Sequence, residues 1–396
     1  MEDPRNCITM GVSTEELERR WALARQVMRA DQIDFLVMRN DEEFLGGYVR
    51  WFTDVPARHS YPYTVIFPID DEMTLVSPGP FAPRDPGPPP WSVRGVKKRL
   101  GGPYFSSAHF TSSYDAELVA SVLNEKKNPV IGFVGTANIP FVFYEYLKKN
   151  LAGAKFVDMT DKIDLFKAIK SEEEISLIKR AAEMQDVAFE HLLKTIKPGM
   201  KESDVYAEAV YSCNLQGSSR GLVLVGSGPS GSPVPFKPLH LQNKVIREGD
   251  YLSLLIEMNG PGGFYTELGR TISFGKPAQE LQDAFGIAVE AQAVTLKNLK
   301  PGSNPKELWD DNNEFLAQKG YLPEARLYAH GQGYDLVERP LIRHDEPMGI
   351  EAGMSIVVHP TAATDTVWTG VVDNYMVTDS GISECLHRTP KKIYEL

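Results

Sequence analysis

The chain has 396 residues, 42% of them hydrophobic, and a formal net charge of −11. That length supports a large core and two domains. The acidic balance argues against a nucleic-acid surface and against binding to anionic membranes. Three scattered cysteines, Cys7, Cys213 and Cys385, give neither a disulfide framework nor a cysteine zinc site. The first twenty residues are polar and charged, without the apolar core of a secretion signal, and no run approaches a membrane span, so a cytoplasmic location is expected.

In chain order, residues 13–31 read as an opening helix. Ser13 or Thr14 can cap it, and Leu17, Trp21, Ala24 and Met28 recur at helical spacing. Residues 33–38, 63–69 and 128–135 read as strands, and the proline-rich stretch 81–91 as a surface loop. Alternating strands and helices predict an α/β N-terminal domain over 1–160 and a second domain over 161–396.

The second domain opens on a helix from about 170. Ser171 and Glu174 form a capping box, and Ile175, Ile178, Ala182, Phe189 and Leu192 mark one face. Pro198-Gly199 ends it. The stretch LKTIKPG (193–199) returns as LKNLKPG (296–302), each copy between two predicted helices. This predicts an internal duplication with pseudo-twofold symmetry and a site along its seam. Between the copies, residues 249–275 read as a strand, a Gly-Pro-Gly turn and a second strand. The chain closes on two more strands, MSIVVHP and GVVDNYMVT.

GSGPSG (226–231) matches the dinucleotide-binding glycine pattern. That pattern requires a helix to open at once, and SPVPFKP follows instead, so a loop near the site is expected. Of the eight histidines, His109, His191 and His387 read as structural or surface residues. His330 lies among glycines in AHGQG, and His359 ends an apolar strand before Pro360. With Glu267 on the intervening hairpin they form a candidate site.

The segments IREGDYLSLL, GFYTELGRT, HGQG, EAGMSIVVHP and VVDNYMVTDSG resemble, in order and spacing, those of the creatinase, methionine aminopeptidase and proline-peptidase family. The resemblance implies a creatinase-like N-terminal domain and a pita-bread catalytic domain. It also implies a homodimer whose partner's N-terminal domain forms the lip of the pocket. Family peptidases bind two metal ions through Asp, Asp, His, Glu and Glu. Carried over, these positions are Leu255, Glu267, His330, His359 and Val372, with Asp373 adjacent to the last. Alkyl side chains cannot ligate, and two cations need bridging carboxylates. The chain is therefore identified with the metal-free members, creatinase and ectoine hydrolase, without cofactor. The expected activity is hydrolysis of a C–N bond, of the amide, urea, amidine or lactam type, in a small polar, carboxylated molecule. His240, Glu267, His330 and His359 are the expected catalytic residues; His240 lies two residues beyond the family's histidine position at Pro238. The creatinase glutamate position is Gly269, which argues against creatine itself as the substrate.

Two alternatives stand beside this. One is a mononuclear hydrolase or peptidase of the proline-peptidase type, with one zinc, iron or manganese ion on Glu267, His330, His359 and Asp373, and Glu257 as a further candidate. The other is a lyase or a non-catalytic binding protein on the same scaffold. Trp51, Arg58, His59, Arg343 and Asp373 are expected to bind the substrate, the arginines through a carboxylate.

Overall fold

The computed structural model describes residues 11–40, 42, 44–45, 47–56, 61–79 and 93–396, and the backbone alone of 82–83. The chain divides into two compact units, residues 1–167 and 168–396.

The first unit is built on one mixed sheet. Its helices are α1 (Thr14–Ala30), α2 (Tyr48–Thr53), α3 (Tyr114–Leu123), α4 (Phe141–Asn150) and α5 (Thr160–Ala168). Its strands are β1 (Phe35–Asn40), β2 (Tyr63–Pro68), β3 (Met73–Pro78), β4 (Ala82–Pro83), β5 (Val96–Gly102), β6 (Val130–Val134) and β7 (Lys155–Asp158), in the order β4-β5-β3-β2-β1-β6-β7. The Ser13 hydroxyl accepts the Glu16 amide at 3.0 Å and starts α1, whose Leu17, Trp21, Ala24 and Met28 are all buried. Most of the proline-rich stretch 81–91 lies outside the described residues; β4 pairs antiparallel with β5.

The second unit is a duplication. Its first half comprises α6 (Glu172–Thr195), α7 (Glu202–Leu215), β8 (Gly221–Pro229), β9 (Asp250–Asn259) and β10 (Tyr265–Ser273). Its second half comprises α8 (Gln279–Asn298), α9 (Pro305–Gln318), β11 (Ala329–Gly331), β12 (Glu338–Leu341), β13 (Ser355–Val358), β14 (Thr361–Ala363), β15 (Trp368–Gly370) and β16 (Asp373–Thr378). Short strands β17 (Gly381–Ile382) and β18 (Tyr394–Glu395) complete the sheets β18-β10-β9-β8 and β12-β11-β13-β16-β17. The Ser171–Glu174 capping box is formed, with contacts of 2.8 and 3.2 Å. GSGPSG is not a loop as expected: its first four residues continue β8.

The repeated turn is the clearest sign of duplication. Gly199 and Gly302 both take positive φ, which glycine adopts without strain. The Gly199 amide donates to the Ile246 carbonyl at 2.9 Å, and the Gly302 amide donates to the Ile350 carbonyl at 2.8 Å. Each turn thus pins the segment that leads into β9 or β13. The two sheets meet where Gly269 and Val372 exchange backbone hydrogen bonds at 3.2 and 3.3 Å.

Candidate metal centre

The β9–β10 hairpin sets the geometry. Its register pairs Glu257 with Glu267 and Leu255 with Gly269, so all four lie on one face. Extended across the neighbouring strands, that face carries two rungs. One runs Leu222, Glu257, Glu267, and then Asn374, whose side-chain oxygen accepts the Glu267 amide at 2.7 Å. It reaches His330 through the pairings of Val357 with Asn374 and with His330. The other runs Leu224, Leu255, Gly269, Val372. The first rung is polar from Glu257 onward and the second is apolar throughout.

Glu267, His330 and His359 come together. One ligating atom from each lies within 4.8 Å of the others, and the imidazole centroids are 5.2 Å apart. His330 and Glu267 are buried and His359 is half-buried. The His330 Nδ1 lies 2.8 Å from the Gly331 carbonyl, which can only accept, so Nδ1 carries the proton and Nε2 keeps a free lone pair. Burial lowers the His330 pKa to about 4. Loss of hydration, then the neighbouring His330 and Arg326, hold His359 well below its ordinary value. Both rings are neutral at pH 7, the form that ligates.

Glu257 supplies the fourth polar group. Its carboxyl is hydrogen-bonded to Glu267. Burial raises Glu267 to about 7, and burial with the Glu267 charge raises Glu257 well above the carboxylate range. Glu257 therefore holds the shared proton and donates it to Glu267. A ring of buried amides fixes the pair. The Gln332 side-chain amide donates to Glu257 at 3.0 Å, and the Asn374 amide donates to Gln332 at 2.7 Å.

The donor set fits one divalent cation. Two neutral imidazoles and a carboxylate suit zinc or iron, and the Gly331 carbonyl orients one of the rings as an outer partner would. It does not fit two. Leu255 and Val372 close over Gly269: a Cβ there would lie 2.4 Å from Val372 Cγ2 and 3.4 Å from Leu255 Cδ1. Leu222, Leu224 and Phe236 pack onto the same cluster, leaving no oxygen donor on that rung.

Several expected site residues lie elsewhere. Asp373 is fully buried on the opposite face of β16, since it alternates with Val372 and Asn374. It accepts from Arg270 Nη2 at 2.7 Å and from Gln292 at 3.3 Å, and so serves neither ion nor substrate. Asp373, Cys385 and His387 form a second trio with donor atoms within 4.8 Å. Arg270 already neutralises it, Lys391 Nζ stands 3.9 Å from Asp373, and burial pushes the Cys385 thiol up to about 12. That trio is charge-balanced without an ion. His240 is exposed on a short 3-10 turn, Leu239–Leu241, and does not join the donors. Trp51 is buried in the core of the first unit, its ring 4.9 Å from that of Phe52, and is unavailable to substrate. Arg343 is paired with Asp345 through contacts of 2.5 and 3.0 Å. Arg58 and His59 lie outside the described residues. Gln332 and Asn374 were not singled out from the sequence; HGQG and VVDN contain the two without marking them.

The fold is that of a two-unit pita-bread protein whose centre carries donors for one ion. Residues 176–379 match metallopeptidase family M24, and the chain belongs to that family. It is 28% identical over 247 residues to an uncharacterized peptidase, YqhT, of Bacillus subtilis, covering 61% of this chain and 69% of that protein. It is 27% identical to an Xaa-Pro dipeptidase of Pyrococcus horikoshii, covering 65% and 73%. Among solved structures it is similar to an X-Pro aminopeptidase from Thermotoga maritima, with a TM-score of 0.80 at 19% identity over 95% of this chain and 99% of that one.

These matches correct two expectations. The kinship drawn to metal-free creatinase and ectoine hydrolase is not what they return; the relatives carry peptidase and dipeptidase names. The expectations of metal-independent hydrolysis of a non-peptide C–N bond, and of no cofactor, are overturned by membership of a metallopeptidase family. The physical reason is visible at the site. Leu255 and Val372 offer no donor for one ion, whereas Glu267, His330 and His359 converge as donors for another. No helix among the described residues is long and apolar enough to cross a membrane.

Proposed function

We propose that this chain is a metal-dependent peptidase of the proline-peptidase type that works with one divalent ion held by Glu267, His330 and His359. The observation that carries the reading is the convergence of those three side chains beside an apolar rung where further ligands would stand. The Xaa-Pro dipeptidase and aminopeptidase names of its relatives support a peptide bond next to proline as the target.

When bound, such an ion supplies Lewis-acid polarisation of the scissile carbonyl and of water. The chain's own groups do the rest. Imidazole is not the base, because His330 Nδ1 is committed to the Gly331 carbonyl and both rings serve as ligands. Glu257 is the group positioned to move a proton, since its carboxyl meets Glu267 and is held by Gln332. With a cation on Glu267 the shared proton would be displaced, and Glu257, then ionised, would take a proton from the attacking water and return it to the leaving nitrogen. The buried floor around Glu257 and Glu267 keeps bulk water from competing.

The test uses Ala-Pro as substrate. Exhaustive chelation is expected to abolish hydrolysis, and one equivalent of zinc, iron or manganese to restore it. Turnover that survives complete metal removal refutes the reading.

A further inference from the structure

The face of the β8–β9–β10 sheet that carries the donors also carries an apolar shelf. Along β8, Val223 and Val225 turn to the opposite face and are buried in a core with Phe189 of α6 and Val205 and Ala209 of α7. Leu222 and Leu224 alternate with them, so they lie on the donor face, paired with Glu257 and Leu255. Both remain half-buried, as do Phe236 and Trp368. Leu222, Leu224 and Phe236 rest on the buried side chains of Leu255, Val357 and Val372. Trp368 meets Phe236 edge to face, with ring centroids 4.7 Å apart. The charge beside Phe236 is drawn away, since Lys237 Nζ donates to the buried Glu202 carboxylate at 2.9 Å. The shelf thus has a buried floor, partly exposed walls and no charge of its own.

The spacing of the rungs decides what the shelf can hold. Residues two apart on one face of a strand stand roughly 7 Å from each other. That step separates Glu257 and Glu267 from Leu255 and Gly269. A branched side chain on the residue that supplies the scissile carbonyl spans it when the carbonyl lies beside Glu267. A polar side chain would lose its hydration there for no partner, because Leu255, Val357 and Val372 neither donate nor accept. An alkyl chain gains from the same burial. We propose that Leu222, Leu224 and Phe236, on the floor of Leu255, Val357 and Val372, form a subsite for a branched aliphatic side chain on the carbonyl side of the scissile bond. The proposal rests on the peptidase reading above and names which peptides the site selects.

The experiment titrates leucine, alanine and asparagine hydroxamates into the zinc-loaded protein by calorimetry, alongside kcat/KM for Leu-Pro and Ala-Pro. A hydroxamate chelates zinc, so the three probes differ only in their side chains, and asparagine matches leucine in size. A fully buried carbon is worth about fourfold in affinity, and on a half-open shelf leucine is expected to bind about 10-fold more tightly than alanine or asparagine. Leu-Pro is expected to exceed Ala-Pro in kcat/KM by a similar factor. Leu224→Asn and Leu222→Asn are each expected to bring the leucine-to-asparagine ratio to about twofold or less. A ratio of dissociation constants is independent of the fraction of protein that is folded. Wild type that binds asparagine hydroxamate as tightly as leucine hydroxamate overturns the proposal, as do variants that both keep the full leucine preference. Cleavage of Leu-Pro and Ala-Pro at equal kcat/KM removes the subsite and leaves the peptidase reading standing. A leucine preference in binding that Leu224→Asn abolishes, without cleavage of either dipeptide, removes the peptidase reading and supports the subsite.

Discussion

The two halves of the second unit share a backbone plan and part company at their strands. In the first, the Pro-Gly turn pins Ile246, and nine residues on stands Leu255; in the second it pins Ile350, and nine residues on stands His359. Equivalent positions thus hold an alkyl group and an imidazole. Leu255 joins Val372 and Phe236 in an apolar cluster, while His359 turns toward Glu267 and His330. A duplicated scaffold offers two places for cations. What decides how many it keeps is not the fold but whether each half still delivers a donor with a free lone pair.

The sharpest way to erase the difference is to make the halves alike. His359→Leu leaves Glu267 and His330 as the remaining pair of the trio, and both metal content and turnover are expected to fall to background. Retention of a stoichiometric ion by the folded variant would break the comparison. Next in size is Arg270→Met. Arg270 and Asp373 are both fully buried and paired at 2.7 Å, so removing the cation strands a buried carboxylate and is expected to cost about 3–5 kcal/mol of stability. Because Asp373 lies behind the sheet, the fraction that folds should still bind its ion. Loss of the ion without loss of stability would return Asp373 to the ligand set.

The smallest effect concerns pH. His387 is buried against Gln185, and burial lowers its pKa to about 4, with Asp373 and Asp186 opposing the shift. A group whose pKa is depressed on folding contributes stability that is full above its unfolded value of about 6.5 and lost as pH falls toward the folded one. Melting temperature is therefore expected to drop between about pH 6.5 and 4, and His387→Gln to flatten that part of the curve. An identical slope in the variant would show that other groups set the acid limit.

Sequence patterns revealed the duplication, because a helix stopped by Pro-Gly leaves a local signature at each copy. They revealed Glu267, His330 and His359 as well, because glycines and strand ends frame these residues. Asp373 was misassigned because one step along a strand reverses the face, and spacing alone placed it beside the Val372 slot. Trp51 read as a pocket aromatic, but α2 turns it into the core. Glu257 stayed ambiguous because every residue of β9 is buried, so alternation gave no contrast between its faces.

The most direct test is the number of ions. Equilibrium titration of the metal-free protein with zinc or manganese, with the count checked by elemental analysis of the dialysed protein, is expected to give one ion per chain. Two ions per chain, or none, would contradict the single-ion centre.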